Sequence, residues 1–268
     1  MTMNRYRSIA SLLCVGLLSA CGDSAVQKIT TAVPGSAIKF YNFGVCGTTP
    51  TTTTSCMPSV NFYANDRKMT AINSTSGTES SLGTAYTAVG NNGIYSGIAP
   101  GQYTISGRMS AAGPDKDVPV SNTAVTLLDG KYYSYYLSGF YDATAKTVDS
   151  FIVEDDFPAI DFSTTYVRFV NAIANSNPMT LFAKNTTTAA ETPIGAETAY
   201  KGAGAFISLP GGTYDLSTRY TGSSTNAISR TAVAFVPGKV YTISARGDIT
   251  ITSTTAINRP FLDNTANR

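Results

Sequence analysis

The chain has 268 residues, 43% hydrophobic and 13% charged, with 16 tyrosines, no histidine and no tryptophan. The charged share lies well below the globular norm of about 25%, and this length favours two compact domains. Lacking histidine, the chain is excluded from Ser-His-Asp and Cys-His catalysis, from His-ligated zinc and from histidine-based pH switching.

Arg5 and Arg7 form a short basic start, and Ile9 to Leu18 is an apolar run far shorter than the ~20 residues of a spanning helix. It leads into Leu18-Ser19-Ala20-Cys21, the pattern of a lipoprotein signal peptide. Residues 1–20 are therefore expected to be removed and Cys21 to carry the lipid. Cleavage takes Arg5 and Arg7 away and leaves 17 basic residues against 17 acidic ones. A neutral mature chain without a basic run is not expected to bind nucleic acid. Gly22 after the cysteine, by resemblance to Gram-negative lipoproteins, points to the outer membrane. Residues 21–35 read as a lipidated, polar tether. Cys46 and Cys56 bracket a Thr-rich loop, and an even pair in an oxidising compartment is expected to form a disulfide.

From residue 36 onward the chain reads as two copies of one module. Ile38-Lys39-Phe40-Tyr41-Asn42 returns as Val167-Arg168-Phe169-Val170-Asn171, and Val60 to Ala64 returns loosely as Met179 to Ala183. Pro100-Gly101-Gln102-Tyr103 is answered by Pro210-Gly211-Gly212-Thr213-Tyr214, and Thr123 to Lys131 by Thr231 to Lys239. Period-two alternation puts Tyr103, Ile105, Val125, Leu127, Tyr133, Tyr135 and Leu137 on a core face, with Tyr214, Leu216, Val233, Phe235, Tyr241, Ile243 and Ala245 as their counterparts. Polar residues between them imply one wet face and hence antiparallel sheets. Asp129-Gly130 and Pro237-Gly238 mark tight turns. The expectation is all-β: two tandem immunoglobulin-like antiparallel β-sandwich modules, at 36–154 and 164–254, joined by a connector at 155–163 and followed by a loose polar tail at 255–268.

The opening strand ending in Asn, the Pro-Gly-x-Tyr turn, the Gly-Lys-x-Tyr hairpin, and Phe151 to Asp156 ahead of Tyr166 to Asn171 resemble the bacterial family called domain of unknown function 4397. The resemblance covers most of residues 36–250. It implies an exported, often tandem sandwich and carries no catalytic residues. The second copy has Ala172 to Pro178 where the family has Ala-Ser-Pro-Asp-Ala-Pro, and the first has the cysteine loop.

Candidates for chemistry are few. Ser36-Ala37-Ile38-Lys39 fits Ser-x-x-Lys, but on a strand this spacing points the two side chains opposite ways. Glu154, Asp155 and Asp156 are a weak calcium candidate, set against the plainer reading of a solvated connector. Tyr132 and Tyr136 lie on the outward row of a strand, where the second copy has Val240 and Ser244. A wet face does not require two large aromatics, so they are expected to be a contact surface for the second module or for an envelope glycan or protein. The resulting expectation is a non-catalytic envelope lipoprotein without cofactor, held to the membrane by its lipid, with an unnamed protein or glycan partner. The alternatives are a small-molecule, glycan or calcium binder, or a carboxylate-only hydrolase.

Overall fold

A computed structural model describes residues 34–47, 49–51, 57–70, 82–110 and 114–268. The signal peptide, Cys21 and Cys56 lie outside the described residues.

The first module contains β1 (Ser36–Asn42), β2 (Val60–Ala64), β3 (Arg67–Lys68), β4 (Ser96–Ile98), β5 (Gly101–Met109), β6 (Pro119–Leu127), β7 (Tyr132–Asp142) and β8 (Thr147–Glu154). The second contains β9 (Thr165–Asn171), β10 (Met179–Asn185), β11 (Glu191–Thr198), β12 (Ile207–Leu209), β13 (Gly212–Tyr220), β14 (Ile228–Phe235), β15 (Val240–Arg246) and β16 (Phe261–Ala266). Their sheets follow one plan. In the first module they are β4-β1-β7-β8 and β3-β2-β5-β6; in the second, β12-β9-β15-β16 and β11-β10-β13-β14. Adding eight to each strand number of the first plan yields the second. The fold is all-β, in two tandem sandwiches.

Alternation decides which side chains fill each sandwich. Ile38, Phe40, Tyr135 and Leu137 meet Phe62, Ile105 and Leu127 in one core, and Val167, Phe169, Ile243 and Ala245 meet Leu181, Leu216 and Phe235 in the other. Phe40 stacks on Phe62 with ring centroids 4.8 Å apart, an offset arrangement favoured by the ring quadrupoles. The turns repeat as well. Gly130 and Gly238 sit at φ +72° and +78°, a backbone region where a Cβ would be strained. Next to them the backbone N–H of Leu128 donates to the Tyr133 hydroxyl, and that of Val236 to the Tyr241 hydroxyl.

Three expectations need correction. β1 pairs with β7, and β9 with β15, in parallel; the long chain between the partners supplies the crossover that a parallel pair requires, so these two sheets are mixed while the other two are antiparallel throughout. The outer face of these strands is not wet. Lys39, Tyr41, Ser134 and Tyr136 are all fully buried, because the sheets β4-β1-β7-β8 and β12-β9-β15-β16 face each other and Tyr41, Phe43, Tyr136, Phe151, Val170 and Ala172 form a third core between the modules. The tail is not loose. Its residues 261–266 are β16, paired along its length with β15 and burying Leu262. It is too short and too polar for alternation to reveal it, since several of its polar atoms bond to the first module rather than to water.

Candidate functional site

The most unusual chemistry in the chain lies between the modules. β1 and β9 start with matching strings, and their even-numbered apolar positions in β1 (Ile38, Phe40) and odd ones in β9 (Val167, Phe169) fill the two sandwiches. The alternate positions, Lys39 and Arg168, therefore point the other way, into the space between modules, where they are 0% and 2% exposed. Burying a cation costs several kcal/mol unless partners replace its water, so each must be met there.

The partners come crosswise. Lys39 Nζ donates to the backbone carbonyl of Ala266 at 3.2 Å and to Asn267 Oδ1 at 3.1 Å, both in the second module. Arg168 donates from Nη1 to the carbonyl of Glu154 at 3.1 Å and from Nη2 to Asp155 Oδ1, both at the end of the first. These contacts are the same contact made twice. Glu154 and Ala266 occupy matching places opposite Tyr133 and Tyr241, and the N–H groups of Asp155 and Asn267 bond to Tyr132 and Val240, respectively, at 2.7 Å each. The cations also lie over matching rings, Lys39 over Tyr95 at 4.3 Å and Arg168 over Phe206 at 4.8 Å; Tyr95 precedes β4 and Phe206 precedes β12. Tyr136 and Ser244, again equivalent, meet each other at 3.5 Å between hydroxyls. Reciprocal contacts of this kind define an isologous interface, here folded into one chain as an internal pseudo-two-fold.

Electrostatics break the symmetry. Arg168 faces a carboxylate, whereas Lys39 faces the amide of Asn267 in the corresponding place. Burial drives the Lys39 ammonium down to about 8, against the pull of Asp155 and with help from Arg168. Burial also works against the Arg168 charge, but Asp155 and the nearby tyrosines outweigh it, and the guanidinium is held above its ordinary range. Burial raises the Tyr136 hydroxyl to about 12. Asp155 Oδ2 accepts from Ser134 at 2.8 Å and from Tyr95 at 2.6 Å. With Arg168 on its other oxygen, both of its oxygens are occupied. This arrangement clasps two surfaces together, since one carboxylate takes donors from both modules.

Residues 165–267, which take in all of β9 to β16, match the family described as Domain of unknown function (DUF4397). The match spans the second module. No curated protein matches the chain.

The second module, where the match lies, supplies half of the clasp: Arg168, Thr242, Ser244 and Asn267. The sequence-predicted residues fall around it as follows. Tyr136 lies inside the interface, stacked on Tyr41 at 4.3 Å and on Phe151 at 4.9 Å, and it faces the second module. Tyr132 lies at the rim, 5.3 Å from the Tyr95 ring and 5.2 Å from Phe157, where it borders a depression of about 280 Å³ together with Asp129, Phe157 and Arg268. The calcium candidate is corrected: Glu154 pairs with Lys131 at 2.6 Å, Asp155 with Arg168, and Asp156 is exposed. Among the described residues no cluster of three metal-ligating side chains forms. Ser36 bonds to the carbonyl of Leu128 at 2.7 Å, away from Lys39. Cys46 packs against the first core. Sequence reasoning missed Lys39, Arg168 and Asn267, although the matched Lys39 and Arg168 in two aligned strands were a usable signal.

Proposed function

We propose that this chain is a non-catalytic lipoprotein of the cell envelope, in which a lipid at Cys21 holds a rigid pair of sandwiches that binds or supports an envelope protein or glycan. The observation that carries this reading is how the buried reactive groups are used. Lys39, Arg168, Asp155, Tyr95 and Tyr136 bond to one another, to backbone or to the opposite module, so the chemistry that could serve a reaction serves the clasp. In this reading the first module is a diverged copy of the DUF4397 domain, as the shared strand plan supports. Gly22 directs the protein to the outer membrane, and a Cys46–Cys56 disulfide closes the Thr-rich loop.

Intact mass spectrometry of the non-reduced protein extracted from membranes tests this reading. The expected mass is that of a chain beginning at Cys21, plus a diacylglyceryl-type lipid, minus two hydrogens. Cys21→Ser is expected to lose the lipid and leave the membrane fraction. An unprocessed 268-residue mass, or a Cys21→Ser protein still in the membrane, would contradict the anchor; two free thiols would contradict the disulfide.

A further inference from the structure

Arg168, beside Thr242, meets Glu154 and Asp155 at the start of β7, and further along Tyr136 meets Ser244, so the facing strands β7 and β15 run in the same direction, and both modules turn their Gly130 and Gly238 hairpins to one end of the molecule. The chain also comes in at that end. The N–H of Gly35 donates to Asp129 Oδ1 at 2.7 Å, and Gly35 accepts from the N–H of Gly130 at 2.8 Å. The connector from Glu154 to Thr165 crosses the same end: the N–H of Gly238 donates to the Thr164 carbonyl at 2.7 Å, and the Phe162 ring lies against Gly238. Connectors and hairpin tips are ordinarily polar, yet this end carries Phe162 at 82% exposure, Ile160 at 60%, Leu128 at 53%, Val236 at 52% and Tyr132 at 42%. These are five of the eight large exposed apolar side chains among the described residues. Leu128 and Val236 hold the same place in the two copies, so the pseudo-two-fold sets both at this end.

We infer that this end docks on the lipid bilayer, with Phe162, Ile160, Leu128 and Val236 dipping into the headgroup and acyl boundary. The inference rests on the lipid-anchor reading and deepens it by adding an orientation. Pro34 follows Cys21 by 13 positions, a reach of at most about 45 Å when extended. The tether alone therefore allows the body either to dock or to stand off, and the exposed apolar residues decide for docking. Interfacial amphipathic helices bury their apolar face about 5–10 Å into this boundary, a depth that side chains on hairpin tips and a connector can also reach. Lys131 is paired with Glu154, and the two further cations of this end, Lys239 and Arg268, are outnumbered by Asp129, Asp156 and Asp161, so the contact is apolar and needs no anionic lipid.

The chain has no tryptophan, so one introduced indole reports alone. Phe162→Trp places it at the docking end, and Phe140→Trp places it eight residues along β7, about 27 Å further from the bilayer; Phe140 is itself 37% exposed. The lipidated full-length mature protein is reconstituted into phosphatidylcholine vesicles with brominated acyl chains, and flotation and fluorescence are read together. Docking predicts that both variants float, that Phe162→Trp loses more than half its emission with a blue shift, and that Phe140→Trp is unaffected. Variants that float with both indoles unquenched, or with both quenched alike, would overturn the inference and leave the anchor standing. A protein that does not float with the vesicles would overturn the anchor reading, and the inference with it.

Discussion

At Asp155 three donors meet one buried carboxylate, and the cost of disturbing it follows from what would be left behind. Asp155→Ala strands the Arg168 guanidinium, 2% exposed, without a counter-charge. Removing one member of a buried pair costs about 3–5 kcal/mol, and urea unfolding is expected to show a loss of that order. Asp155→Asn, which recreates the Asn267 side of the interface, should cost less; equal losses would mean that the charge itself contributes little. Lys39 gives a second handle. Its folded-state value of about 8 lies below the ordinary 10.4 of lysine, so between these values the unfolded chain holds more protons than the folded one. Stability therefore rises as pH climbs from 8 to 10, and the penalty is complete below 8. The raised tyrosines act with the opposite sign, but only from about pH 10 upward. Wild type compared with Lys39→Met should show the rise only in the former; parallel pH profiles would contradict this assignment.

At the scale of the element, β1 and β9 show what alternation reveals and what it leaves open. The period of two correctly separates Ile38 and Phe40 from Lys39 and Tyr41. It cannot say whether the far side of the sheet meets water or another sheet. For that reason the pattern does not distinguish Lys39 and Arg168 from solvated charges, and it marks Tyr136 as a contact residue without identifying its partner. The core faces were legible because two copies repeat them. β16 was not, since Asp263, Asn264 and Thr265, with Asn267 just after them, resemble a polar tail until the face they meet is known. That strand provides a clean test. Deleting residues 261–268 removes Leu262 from the second core and takes both acceptors from Lys39. Thermal unfolding is expected to lose its cooperative transition, with proteolysis opening the second module. A truncated protein that melts within 2 °C of the full chain would show that the strand is dispensable.

At the scale of the whole molecule, four sheets stack in sequence, and the two inner ones are buried on both faces. The central core of Tyr41, Phe43, Tyr136, Phe151, Val170 and Ala172, together with the crosswise pairs of Lys39 and Arg168, gives the modules reason to unfold together, because separating them would expose apolar surface and two buried cations at once. Two sandwiches joined only by a flexible connector would instead melt independently. Differential scanning calorimetry on the mature protein separates these cases most directly. The clasp predicts one transition, with a calorimetric enthalpy equal to the van't Hoff enthalpy, that splits into two when Asp155→Ala and Tyr136→Ala are combined. Two resolved transitions in the wild type, unchanged by that pair of substitutions, would contradict it.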